Sequence, residues 1–143
     1  MLRAGLFSRL ACAVALSLSL FAGCKPTAVT DQPQIDPTHE RLLKIGLAYR
    51  EFNEKNKRPP AKADDLKASL PDESIWKSAR DEQLLVVIWN VDLRNTLPGT
   101  IIAYEKFGKD GKRLVRTAVG STEEMSQDDF VKGNFPPGHK LEP

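Results

Sequence analysis

The stretch DPTHERLLKIGLAYREFNEKN, residues 36–56, decides the fold, because its apolar residues recur along one side of a helix. Leu42, Ile45, Tyr49 and Phe52 stand at three- and four-residue steps, and Leu43 and Leu47 are expected to widen that stripe. Asp36 is placed to accept backbone N–H bonds as the N-cap, and Pro37 suits the first helical position. On the opposite face the spacing predicts i,i+4 pairs between Glu40 and Lys44, Glu51 and Lys55, and Arg50 and Glu54. The run from Asn56 to Pro60 ends the helix, since Pro59 has no N–H to donate and disfavours helical backbone in the residue before it.

Downstream the periodicity changes. Ala63 to Leu70 reads as a second, short helix with Leu66 and Leu70 inward, stopped by Pro71. LLVVIW, residues 84–89, is six apolar residues, the length of a buried strand. Thr100–Lys106 and Arg113–Val119 are predicted strands on either side of Gly108-Lys109-Asp110-Gly111, where Asp-Gly supplies the positive φ of a tight hairpin. Ser126-Gln127-Asp128-Asp129 has the pattern of a helix start with Phe130 inward, and NFPPGHKLEP at the end is irregular. The expected fold class is α+β: one long amphipathic N-terminal helix packed on a small antiparallel sheet of about three strands, in a single domain over residues 37–143.

Upstream lie Arg3 and Arg9, then an uncharged run from Leu10 to Gly23, the layout of a secretory signal over residues 1–23. Leu10–Gly23 falls short of the roughly 20 apolar residues a membrane-spanning helix needs. Leu20-Phe21-Ala22-Gly23-Cys24 resembles the lipobox of bacterial lipoproteins, with Phe21 where that family usually has Leu. The resemblance implies cleavage between Gly23 and Cys24 and attachment of a diacylglyceryl group, and then further acyl chain, to Cys24. An ordinary signal peptide would use Ala22 and Gly23 equally well, but cleavage removes Cys12 and leaves Cys24 as the sole thiol, with no disulfide partner. Each buried methylene of an acyl chain contributes about 0.8 kcal/mol, so two or three chains give stable anchoring.

Residues 24–36 then form the lipidated cysteine and a tether, KPTAVTDQPQID from Lys25 to Asp36, with a reach of at most about 40 Å. Without Arg3 and Arg9, 19 of the 21 basic residues remain against 19 acidic ones, so the mature chain is neutral and no nucleic-acid footprint is expected. Lys25 stands where some lipoprotein-sorting systems read Asp as an inner-membrane signal, which favours the outer membrane for this periplasm-facing chain.

Leu43-Lys44-Ile45-Gly46-Leu47-Ala48-Tyr49, then Phe52-Asn53 and Arg58-Pro59-Pro60-Ala61, resemble a bacterial family of pilin-like proteins related to type II secretion pseudopilins. In that family the globular domain commonly begins "LKQIGLALHNY" and continues to "FPPA". Ala103-Tyr104-Glu105-Lys106, Arg113-Leu114-Val115, Gly120-Ser121 and Phe130 are similar to its ending, and the likeness spans about residues 40–132. It implies a pilin-like fold. The family's prepilin-peptidase site is missing, because the fifth position after Gly5 is Leu10 rather than Glu, and its Asp-Gly-His reads Val119-Gly120-Ser121 here. A pseudopilin with a decayed signal is the reading this departure opposes.

Catalytic and cofactor patterns are sparse. His39 and His139 have no converging partners in sequence, so neither metal nor cofactor is expected. Ser74-Ile75-Trp76-Lys77 matches Ser-x-x-Lys, yet the companion Ser-Asp-Asn and Lys-Thr-Gly elements are missing, and Trp76 is expected at the sheet edge. Asp64-Asp65, Glu123-Glu124 and Asp128-Asp129 lack calcium-loop spacing, and the first and third pairs suit helix starts. Gly108–Lys112 lacks the phosphate-loop consensus. Trp89, Tyr104 and Phe107 could contribute a binding patch, since aromatic residues carry much interface energy, but lying in or beside predicted strands they are expected in the core. The expected function is a membrane-anchored, non-enzymatic envelope lipoprotein, an interaction or structural module held by lipid and facing another envelope protein. The alternative is a small ligand-binding or enzymatic lipoprotein whose site is assembled from residues distant in sequence.

Overall fold

The computed structural model describes residues 35–141; the signal segment, Cys24 and the tether up to residue 34 lie outside the described residues. Helix α1 spans Pro37–Asn56, its 20 residues started by Asp36, whose Oδ1 accepts from Thr38 N at 2.7 Å. It stops at Lys57, which turns left-handed at φ 55° just ahead of Pro59. Leu42, Ile45, Ala48 and Tyr49 are buried, as the period requires, together with Gly46 and Asn53.

Leu43 and Leu47 depart from the expected stripe. They are 37% and 53% exposed, because the sheet covers a narrower arc of α1 than six apolar residues would fill. Of the three expected surface pairs only Glu40–Lys44 forms, at 2.9 Å. Arg50 turns instead to the carbonyls of Ala118 and Val119.

The sheet has four antiparallel strands in chain order: β1 (Val86–Val87), β2 (Ile101–Tyr104), β3 (Lys112–Thr117) and β4 (Thr122–Ser126). β4 is one more than the sequence pattern suggests. Its residues, TEEMS, show no apolar alternation, because it is an edge strand largely open to solvent. The predicted strand 84–89 contracts to a two-residue ladder, with Leu85 and Ile88 inward and Leu84 63% exposed. Ile88 N still donates to Ile102 O at 2.8 Å, so pairing with β2 outlasts the regular ladder. The expected helix 63–70 is a single 3-10 turn, Ala63–Leu66, with Leu66 and Leu70 buried as foreseen.

Between β2 and β3, Asp110 (φ 52°) and Gly111 (φ 72°) form a two-residue turn closed by mutual bonds between Lys109 and Lys112. Gly108 is needed beside it: at φ 75°, a Cβ there would stand 2.0 Å from the Lys112 carbonyl oxygen.

Cross-strand pairing sorts the side chains onto two faces. Ala103 lies opposite Arg116, and Tyr104 opposite Val115. Arg116 reaches Gly46, so Ala103, Glu105, Leu114 and Arg116 face α1. On the other face Tyr104, Arg113 and Val115 meet helix α2 (Gln127–Val131) and the C-terminal segment. Phe130, fully buried, packs edge-on to Tyr104 at 4.9 Å, and Phe135 packs on both. Ser126 caps α2 by accepting from Asp129 N. The tail predicted as irregular is irregular in backbone but docked: His139 stacks on Phe135, and its Nε2 lies 3.1 Å from Tyr104 Oη. With both faces covered, β2 is buried at every position.

Candidate functional site: an aromatic groove at the sheet edge

β1 is one edge of the sheet. Val86 pairs with Tyr104 and Ile88 N donates to Ile102 O, so the N–H and carbonyl of Val87 between them point away from β2. Just upstream, Leu85 N donates to Trp76 O at 2.7 Å, which lays the end of a 3-10 turn, Glu73–Trp76, beside the start of β1. Asp72 starts that turn: Oδ1 accepts from Ser74 N at 2.8 Å and Oδ2 from Ser74 Oγ at 2.9 Å. The hydroxyl of the Ser-x-x-Lys pattern is therefore committed to Asp72, and no bond joins it to Lys77.

Trp76 and Trp89 meet here with ring centroids 6.2 Å apart, both half-buried. Trp89 in turn lies nearly parallel to Tyr49 of α1, at 6.3 Å and 13°. Tyr49 is itself pinned, donating to Ile88 O at 3.2 Å and accepting from Val91 N at 2.9 Å. Burial pushes its phenol up to about 12, so it stays neutral across the physiological range. The result is an open groove of about 500 Å³ walled by Trp76, Trp89, Leu84 and Val87, with Asp64 and Lys67 at its rim. Asp64 is held below the usual carboxylate range by its bonds to Lys67 (2.6 Å) and Lys62, and Lys67 is raised by the same contact. Both rim groups are charged at neutral pH, and neither is poised to exchange a proton.

The shifted buried acid sits elsewhere. Glu105 is fully buried, accepting from Ser78 Oγ at 2.6 Å and Leu114 N at 2.8 Å, with Arg80 Nη1 at 3.6 Å. Burial raises its carboxyl above the ordinary range, against the pull of these donors. Arg80 continues to Glu124 at 2.8 Å, and Ser78 also contacts Thr38 of α1. Asp81, lowered by accepting from Gln83, Phe107 and Gly108 N–H groups, fastens the same loop to the β2–β3 hairpin. These residues tie the loop 77–83 to helix and sheet.

Comparison of the chain with protein-family models, with curated proteins and with solved structures finds no match. The functional reading therefore rests on the residues themselves. Among the described residues no three His, Cys, Asp or Glu side chains converge as metal ligands, and no helix is long and apolar enough to cross a membrane. His39 is half-buried on the first turn of α1, and His139 belongs to the aromatic tail. Asp65 accepts from Ala61 N, Asp129 belongs to the Ser126 cap, and Glu124 pairs with Arg80 and Lys112. Gly108–Lys112 is the hairpin turn.

Of the aromatics expected in the core, Tyr104 is buried, Trp89 divides between core and groove, and Phe107 is 52% exposed with Lys106 over its ring. Phe107 follows the end of β2, where the chain has already left the covered part of the sheet. Cys24 and Gly23 lie outside the described residues. From sequence Trp89 can be named as a patch residue, but nothing there joins it to Trp76, and Glu105 reads as a strand end, so neither the groove nor the Glu105 cluster is apparent. The signal available for Glu105 was its parity with Ala103, two residues before it on a strand rich in apolar residues; Ile101 is taken off that face by the bulge between Ile101 and Ala103.

Proposed function

We propose that this chain is a lipid-anchored module of the bacterial envelope, without catalytic chemistry of its own, that grips another envelope protein through the Trp76–Trp89 groove. The observation that carries the reading is the groove: two half-buried tryptophans beside exposed Leu84 and the outward backbone of Val87 on an edge strand. Buried aromatic anchors dominate interface energy, and an edge strand offers main-chain bonds to an extended segment. In this reading Cys24 bears the lipid, residues 25–36 give the domain its reach, and the domain is a pilin-like one whose membrane helix has been replaced by lipid. The lipobox-like Leu20–Cys24 supports the anchor, and Lys25 favours the outer membrane.

A photo-reactive side chain placed at Leu84 tests the groove in cells. A specific adduct is expected, lost when Trp76 and Trp89 are both changed to Ala in a chain whose circular dichroism is unchanged. No specific adduct, or one indifferent to the tryptophans, would refute the docking role. Cys24→Ala tests the anchor separately and is expected to abolish lipid labelling and membrane fractionation. A second reading, a small-ligand-binding lipoprotein, draws on the groove's volume, which falls within the range of small-molecule sites. It predicts quenching of tryptophan emission by a low-molecular-weight fraction rather than an adduct.

A further inference from the structure

Between α1 and the loop joining β3 to β4, two arginines meet without an acid. Arg116 on β3 is only 3% exposed, and its guanidinium lies against α1 at Gly46, where a Cβ would stand 2.3 Å from Nε. Nη1 donates to Thr122 Oγ1 at 3.0 Å, while Nε is buried with no partner among the described residues. A guanidinium buried this deeply is ordinarily matched by a carboxylate. Neither Arg116 nor Arg50 is in an ion pair among the described residues. The charge felt by Arg116 is instead that of Arg50, which adds to desolvation in lowering its affinity for a proton.

Arg50 leaves α1 toward the loop between β3 and β4, where Nη2 donates to Val119 O at 2.8 Å. The two Nη2 atoms converge on Gly120, lying 2.8 Å (Arg50) and 3.5 Å (Arg116) from the place a Cβ would take, hence within about 6.3 Å of each other. Gly120 has φ 106°, so a side chain there would be strained as well as in the way. Two like charges held this close, one of them shielded from water, make a site that an anion would stabilise. Charge-assisted N–H···O contacts of about 2.8 Å on either side allow one oxyanion to bridge nitrogens that lie no farther apart than this limit.

We propose that Arg50 and Arg116, meeting over Gly120, form a binding site for an oxyanion of the phosphate class. Phosphate esters reach such a site either free in solution or as a phospholipid headgroup. Leu43 and Leu47 stand on the same side of α1 as Gly46 and Arg50, and with Val119 they place exposed apolar side chains around it.

The test uses the full chain in detergent, with inorganic phosphate and dihexanoyl phosphatidylglycerol as separate probes, followed by NMR of the arginine side-chain N–H groups. Saturable shifts at Arg50 and Arg116 are expected, absent in chloride at equal ionic strength, with binding weakened about tenfold or more in Arg50→Gln. Arg116→Lys should weaken it as well; if that variant does not fold, Arg50→Gln, altering a half-buried residue, still decides. Tighter binding of the lipid supports a headgroup, and tighter binding of inorganic phosphate supports a soluble ester. No saturable shift with either probe, or unchanged affinity in Arg50→Gln, overturns the proposal.

Discussion

Replacing Tyr49 by Phe removes one oxygen and leaves two buried backbone groups unmatched, the carbonyl of Ile88 and the N–H of Val91. The ring is retained, so packing against Trp89 is unaltered, and the loss is one of hydrogen bonds alone. A buried group left unsatisfied costs about 1–3 kcal/mol, and with two such groups sharing some relaxation the expected destabilisation near neutral pH is about 2–3 kcal/mol. Tyr49 also makes a second prediction from the same oxygen. Its folded-state pKa is raised from 10.0 to about 12, so above pH 10 the unfolded chain loses this proton first. The stabilisation is complete below pH 10 and disappears as pH rises through 12, amounting to at most about 3 kcal/mol. The gap between wild type and Tyr49→Phe should therefore shrink as pH climbs from 9 to 12. Urea unfolding of both proteins across that range measures it, and a destabilisation under about 0.5 kcal/mol, or a gap independent of pH, would refute the reasoning.

Gly108→Ala should destabilise by about 2 kcal/mol or more, because the new Cβ meets backbone oxygen, whereas Gly111→Ala meets nothing within 4 Å and should cost only about 1 kcal/mol for its left-handed φ; thermal unfolding of the pair separates strain from collision. Gly46→Ala should lower the melting temperature even though helix propensity alone favours Ala by about 1 kcal/mol, because the methyl displaces the Arg116 guanidinium; a higher melting temperature would show that Arg116 moves freely. Glu105→Gln should destabilise, since one amide cannot accept from both Ser78 Oγ and Leu114 N as the carboxylate does. Because the folded pKa of Glu105 is raised, wild type gains stability as pH falls through that value toward 4.5 and the Gln variant does not, so denaturation at stepped pH should show the gap widening on the acid side.

Helix α1 was legible because three features agreed: an Asp-Pro start, a three- and four-residue apolar step, and a proline stop. The hairpin was legible through Asp110-Gly111, whose backbone needs residues that tolerate positive φ. β4 was not, since a strand with an open edge and one half-covered face has no need of apolar alternation. Leu43 and Leu47 misled for the converse reason: apolar residues on a helix are drawn to the core only where something lies opposite them. The groove, the Glu105 cluster and the arginine pair all join residues from separate segments. Trp76 meets Trp89 through an added strand-like pairing, and Arg50 meets Arg116 across 66 positions of chain, distances over which periodicity carries no information.

The hydroxyl of Thr38 has a mechanical meaning. It stands at the second residue of α1, in the first turn, accepts from Ala79 N at 2.8 Å, and leads through Ser78 and Glu105 to the backbone of β3 at Leu114. A pull delivered through Ile35 and Asp36 would not reach a free helix end that could unwind turn by turn. It would load several lateral bonds at once and pass sideways into the central strands, in shear rather than peeling. The end by which this domain would be held is thus the end braced to bear tension.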